Sequence, residues 1–184
     1  MTTGEGNEAS AGSPTAATAP TAPGSYQLDP AASTVTFSHK TFWGLATVRG
    51  GFSDISGTAE ILADGSAHGR LEIGSASLNT KNRKRDEHLR SADFFHAAVH
   101  PKIIVDVTQA ATSDGSNVQA SAALTVAGRA RPLTLTARIS EATDQAITLT
   151  ADAEIDRADF GMTWNQLGML KAPARVHVVA RFVR

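Results

Sequence analysis

The chain of 184 residues has no cysteine. That excludes a disulfide framework, thiolate catalysis and any zinc or iron–sulfur site ligated by cysteine. It does not exclude export, because exported proteins need not carry disulfides. Aromatic residues are scarce too. Seven Phe, two Trp and one Tyr make up 5% of the chain, against 41% hydrophobic residues overall. Ala, Val, Leu and Ile supply the balance, and small apolar side chains fill less volume each. No charge sign dominates: 17 Lys and Arg face 18 Asp and Glu, for a net charge of −1. A strongly basic nucleic-acid binder and an acidic disordered polymer are therefore both excluded. No run approaches the roughly 18 apolar residues of a membrane span, so no stable membrane insertion is expected.

Residues 1–24 stand apart. They hold six Ala, five Thr, three Pro, four Gly and two Ser, and no Val, Leu, Ile, Phe, Trp or Tyr. Such a segment cannot offset its ordering entropy by burial, and is expected to be a disordered tail. Its only charges are Glu5 and Glu8, so residues 25–184 carry +1. A secretory signal would need a basic start and an apolar stretch of roughly 7–15 residues. Neither is present, and the first lysine is Lys40. The default expectation is a cytoplasmic protein, unless a signal was removed. The remainder suits one domain.

From Tyr26 onward the apolar residues alternate. Val35, Phe37 and His39 share one face; so do Leu71 and Ile73, and Ile103, Val105 and Val107. The pattern continues through residues 118–126, 133–139, 147–155 and 176–182. Period two with a polar opposite face predicts antiparallel strands around one core. With Val48–Ile61 there are about eight strands, several near ten residues long. Turn chemistry falls at Asp64-Gly65, Asp114-Gly115, Gly128 and Thr143-Asp144. The fold class expected is all-β, an eight-stranded antiparallel up-and-down barrel, with a sandwich as second choice.

Lys81–Phe95 breaks the alternation. It is highly charged and has Leu89, Phe94 and Phe95 as apolar anchors. Asn82 is suited to cap a short helix, and Pro101 would stop one. A short helical segment near 82–95, across one barrel end, is expected; an ordinary surface loop is the alternative. The basic run Lys81, Arg83, Lys84, Arg85 is followed at once by Asp86 and Glu87 and has no interleaved aromatics. It reads as a solvated face rather than a nucleic-acid surface, with a place near an anionic lipid head group as the alternative.

Catalytic signatures are absent. There is no G-x-S-x-G, H-E-x-x-H, Walker loop or G-x-G-x-x-G. His96 and His100 are four apart, but Pro101 argues against a helix that would pair them, and no metal is expected. A Ser–His–Asp triad is defined by geometry and stays open. The expectation is a binding protein with no catalytic residues and no cofactor.

An eight-stranded barrel can be filled by side chains or can hold one ligand. Ala120, Ala122, Ala137, Ala151, Ala153 and Ala180 fall on the inward faces, which suggests unfilled volume. Loops filling that space are the alternative. Phe37, Leu71, Ile73, Ile103, Val105, Leu124, Leu135, Leu149, Val178 and Phe182 would line the walls. Such a pocket favours a hydrophobic chain. His39, Arg49, Arg157 and Asn165 are candidates for a polar head at the mouth. Phe42 and Trp43, and Trp164 with Met162, Met169 and Leu170, form a candidate mouth or lid, or else plug the ends.

Five ordered motifs resemble one family. Tyr26-Gln27-Leu28-Asp29 with Ser33–His39 resembles its first strands. Val48-Arg49-Gly50-Gly51-Phe52 with Ile55-Ser56-Gly57 resembles V-x-G-x-F…F-x-G. His88–Phe95 with Pro101 resembles H-L-x-S-x-D-F-F…Y-P. Leu124–Gly128 with Arg131-Pro132-Leu133 resembles L-T-I-x-G-x-x-R-P-V, and Arg157–Met162 resembles R-x-D-F-G-M. Together they are similar to the YceI-like, lipocalin-like polyisoprenoid-binding proteins. Ile55, His96 and His100 depart from the usual pattern. The resemblance implies a barrel that holds a long isoprenoid, such as a prenyl quinone or prenyl phosphate, and a homodimer. Phe94 and Phe160, within the motifs, join the candidate ligand-binding residues. An enzyme acting on the same substrate, or a structural module with a filled barrel, are the other readings.

Overall fold

The computed structural model describes residues 21–165, 168 and 173–184. β1 (Gly24–Leu28) and β2 (Thr34–Thr41) are halves of one bent strand. Between them lies a 3₁₀ turn, Pro30–Ala32, whose Asp29 side chain accepts from the Ala31 N–H at 3.0 Å. β3 (Ala46–Phe52) and β4 (Ile55–Ile61) form a second bent strand. β5 (Ala67–Gly74) and the two-residue β6 (Leu78–Asn79) form a third. β7 (Lys102–Thr112), β8 (Asn117–Val126), β9 (Arg129–Ala142), β10 (Ala146–Ile155) and β11 (Ala174–Val183) complete the circuit.

Each bent pair occupies one position, so the sheet has eight positions in sequence order. β11 closes it by pairing with β1 (Leu28↔Phe182) and with β2 (Phe37↔Val176). The eight-stranded antiparallel barrel expected from the sequence is the observed fold. Closure removes the free edges that a sandwich would keep, except along the upper part of β3, where only Gly51 and Phe52 pair with β6.

The alternation places the expected residues inward. Two β-bulges change its parity: an extra residue in β7 near Thr108, which shifts its register against both β5 and β8, and Ser140 in β9 against β10. Beyond the bulge in β7, Ala110 points in and is buried, where simple alternation from Val107 would send Gln109. Each such extra residue bends its strand and adds twist, which helps a sheet close.

The connections segregate by end. At one end are the Leu62–Ser66, Ser113–Ser116 and Thr143–Gln145 turns, carrying Asp64, Asp114 and Asp144. At the other, here the upper end, are the β2–β3 loop, the segment from β6 to β7, the Ala127-Gly128 turn and the segment from β10 to β11. Ala127 and Gly128 both have positive φ, 47° and 74°, which matches the twist of a two-residue hairpin.

α1 (Arg83–Arg90) fills the upper position that the short β6 leaves vacant. Asn82 caps it, accepting from the Arg85 N–H at 3.0 Å. Arg90 ties it to the carbonyls of Ala76 and Leu78. Most of the charged run is solvated, as expected. Asp86 is the correction: it is buried and accepts from the Thr80 N–H at 3.0 Å and from its hydroxyl at 2.5 Å.

Of the tail expected over 1–24, residues 1–20 lie outside the described residues. Tyr26, fully buried, donates to the Ala22 carbonyl at 2.6 Å, and Arg184 donates to that of Pro23 at 3.0 Å.

Candidate functional site

Inward residues differ in how well they are covered. Ile73, Ile103, Leu124 and Val126 are buried against Phe94, Phe160 and Met162, which fold in from the upper connections. Tyr26, Leu28, Ile147 and Phe182 are buried toward the lower end. Between these zones, Phe37, Leu135, Leu149, Ala151, Ala153, Val176 and Val178 are only half-buried, as are Leu71 and Val105. A side chain that points into a barrel stays accessible where space lies beside it, or where the wall is open, as it is by Phe37 and Val176. The least covered face runs along β9, β10, β11 and β2, where Ala151 pairs with Val178 and Ala153 with Val176. Two alanines opposite two valines leave the volume that larger residues would fill.

At the upper limit of this face stands His39. It points inward, paired with Val48 across β2 and β3. Its ring hydrogen-bonds the Pro173 backbone, while Nε2 is buried without a partner. Thr41, two residues on and on the same face, has a buried hydroxyl without a partner. Burial, and then the positive charge of Arg157, hold the His39 pKa below 6.5, against the opposing Pro173 carbonyl. Neutral imidazole is therefore the form present at neutral pH.

Arg157 begins the 3₁₀ turn Arg157–Phe160 and donates from one Nη to the carbonyls of Met162 and Trp164, both at 2.6 Å. Burial lowers its pKa, with Asp156 opposing. Trp164 is thereby set against Phe94 (centroids 5.5 Å apart) and edge-on to His88 (4.6 Å). His88 is in turn held by Asp93 at 2.8 Å. Phe94, Phe160, Met162 and Trp164 thus form one aromatic and thioether plug at the upper end. Phe42 and Trp43 do not join it; they project from the β2–β3 loop, 51% and 62% exposed.

Arg49 is not brought to this site. It is one residue out of phase with His39's partner Val48, so its side chain leaves the outer face of β3. There it borders an open groove of about 1220 Å³, with Ser38, Asp152, Arg175, His177 and the start of α1. The groove's lining mixes apolar and charged side chains, and the charges include the pairs His177 with Asp152 at 2.8 Å and Arg175 with Glu154 at 3.0 Å. It reaches Phe37, Phe52 and Val176 because only Gly51 and Phe52 of β3 pair with β6, which leaves the wall incomplete above. Met169 and Leu170 lie outside the described residues. Asn165 has an interaction of its own.

Sequence reasoning missed Thr41 and Pro173. Thr41 shares the parity of His39, so period two contained that signal. Pro173 acts through its backbone, which no side-chain pattern reveals. Among the described residues, no three His, Cys, Asp or Glu side chains are grouped as a metal site. His96 and His100 lie with ring centroids 5.7 Å apart. No described helix is long and apolar enough to cross a membrane. What the upper site offers is an apolar space ending in an imidazole, a hydroxyl and a nearby guanidinium.

This geometry has known relatives. BcnA of Burkholderia cenocepacia superposes with a TM-score of 0.75 at 16% identity, over 84% of this chain and 98% of that one. A polyisoprenoid binding domain from Saccharophagus degradans superposes at 0.68 with 19% identity, over 86% and 97%. At such identities these likenesses speak for the barrel alone. In sequence, Protein YceI of Escherichia coli O17:K52:H18 is 32% identical over 98 residues. That stretch covers 52% of this chain and 51% of the relative, so the chain spans about half the length of the curated relatives it matches. The family model of the YceI-like domain matches residues 26–183, the whole barrel, and the chain belongs to that family.

Proposed function

We propose that this protein binds, stores or carries a polyisoprenoid or another long-chain isoprenoid lipid, such as a prenyl quinone or prenyl phosphate, without converting it. The prenyl tail lies along the half-covered face of β9, β10, β11 and β2. The head sits by His39, Thr41 and Arg157. The observation that carries this reading is the accessible apolar face inside a closed barrel, ending at two buried polar atoms without partners. Buried polar groups cost free energy unless satisfied, and a ligand head would satisfy them. Membership in the YceI-like family and the likeness to a polyisoprenoid binding domain support the same reading.

The energetics are adequate. Burying on the order of 400 Å² of prenyl chain contributes on the order of 10 kcal/mol gross. Ordering and lost freedom offset much of it, and micromolar or tighter binding remains within reach. The Thr41 hydroxyl suits a quinone carbonyl as donor, and the guanidinium suits a phosphate.

Organic extraction and native mass spectrometry of the purified chain test this. The expected result is one isoprenoid per chain, retained or taken up, and recovered unchanged. A protein that carries none and takes up none from added prenyl lipid overturns the reading; recovery of a modified lipid replaces it with an enzyme.

A further inference from the structure

Among the described residues, five large hydrophobic side chains are strongly exposed: Phe42, Trp43, Leu45, Leu62 and Val99. All but Leu62 are at the upper end. Three sit within four residues on the β2–β3 loop, at 51%, 62% and 89% exposure. The local backbone works to keep them there. Phe42 and Trp43 have φ of 50° and 55°, a region that bulky residues seldom adopt. A Cβ placed on Gly44 between them and Leu45 would meet nothing within 4 Å, so the tip stands clear of the barrel. Strain of this kind persists at sites where it serves a purpose.

Charge is arranged along the same axis. The upper end is the more basic one: exposed Lys40, Lys81, Arg83, Lys84, Arg129 and Arg131, on its connections and the adjoining strand ends, outnumber exposed Glu87, Asp93, Asp156 and Asp159. Each of the three lower turns carries an aspartate and no base, and the C-terminal Arg184 is exposed beside the Thr143–Gln145 turn. An anionic surface would attract the upper end and repel the lower one. An aromatic and aliphatic tip, with Lys40 beside it, on the more basic end of the barrel matches a membrane-interface anchor, with Trp at head-group depth.

We infer that the Phe42–Leu45 tip docks the barrel, upper end down, on an anionic lipid bilayer, by reversible insertion at the interface rather than by a span. The inference rests on the lipid-carrying reading: it sets the upper site, beside which His39 and Arg157 lie, against the membrane that would supply or receive the lipid.

Flotation of the full chain with vesicles tests it, using phosphatidylcholine alone and phosphatidylcholine mixed with phosphatidylglycerol. The chain should float with the mixed vesicles and much less with the neutral ones, and added salt should release it. Lipids brominated on the acyl chain should quench wild-type emission but not that of Trp43→Phe, which keeps Trp164. Leu45→Ser should lower the bound fraction about tenfold. Leu62→Ser, at the other end, should change nothing. Leu45 is so exposed that its loss should leave the fold intact, which the melting curve verifies.

Absence of flotation on both vesicles overturns the inference. So does flotation that is unquenched and insensitive to Leu45→Ser. Self-association in the ultracentrifuge that Leu45→Ser abolishes, with vesicles ignored, would assign the tip to a second copy and also overturn it. Extraction of the same samples keeps the two readings apart. Cargo without flotation sinks the docking alone; flotation without cargo supports the docking and sinks the lipid-carrying reading.

Discussion

His39 carries a titration that couples the upper site to stability. Its folded pKa lies below the ordinary 6.5, chiefly because burial disfavours the imidazolium and then because Arg157 is near. Below 6.5 the unfolded chain therefore binds a proton that the folded chain resists. Stability falls as pH drops from 6.5 toward the lower folded value. Urea unfolding across that range should give a steeper loss for the wild type than for His39→Gln; equal slopes would show the ring to be unperturbed. Gly50 is a second sensitive point. A Cβ there would approach the Phe37 ring at 2.7 Å, Thr80 Cγ2 at 2.8 Å and the Asn79 carbonyl at 2.9 Å. Gly50→Ala should cost about 1–3 kcal/mol by overpacking, read from chemical denaturation. That His39 faces inward was legible in the alternation of Val35, Phe37 and His39. That its Nε2 and the Thr41 hydroxyl lack partners was not, because partners come from strands and loops distant in sequence.

α1 shows what an element inherits from its own sequence and what it takes from its surroundings. The Asn82 cap was legible, since an Asn ahead of a helical run supplies a side-chain acceptor for the orphan N–H groups. Asn82→Ala should cost about 1 kcal/mol in thermal or urea unfolding. Asp86 was not legible, because within a run of charges it reads as one more solvated residue. In the fold it is buried and receives both Thr80 donors, and Arg85 bonds the same Thr80 hydroxyl at 2.7 Å. Asp86→Ala should leave the buried Thr80 N–H unsatisfied, costing about 1–3 kcal/mol. An effect no larger than that of Glu87→Ala would refute this role. The strands tell the same story. Their period-two pattern gave the inward set, but the bulge that exchanges Gln109 for Ala110 arises from closing the sheet, and nothing local announces it.

For the molecule as a whole, the question is whether the interior is open. Ala151→Phe, alone or with Ala153→Leu, places new volume on the half-covered face. With space to receive it, stability should change by less than about 1 kcal/mol, whereas a packed interior would lose about 1–3 kcal/mol. Lipid uptake, measured by native mass spectrometry, should fall at least tenfold. Retained uptake would move the ligand elsewhere, and the outer groove beside Arg49 would be the next place to look. The sequence by itself determined the all-β class, the inward alanines and the scarcity of aromatic volume, because alternation and side-chain size are local properties. It also carried the five motifs that resemble the family. Only the tertiary structure decided that Arg49 faces out while His39 faces in beside Arg157, that Phe94 and Trp164 plug the upper end, and that Phe42, Trp43 and Leu45 stand free of it. Those outcomes depend on strand register, closure of the sheet and loop conformation, and each is fixed by contacts between residues far apart in the chain.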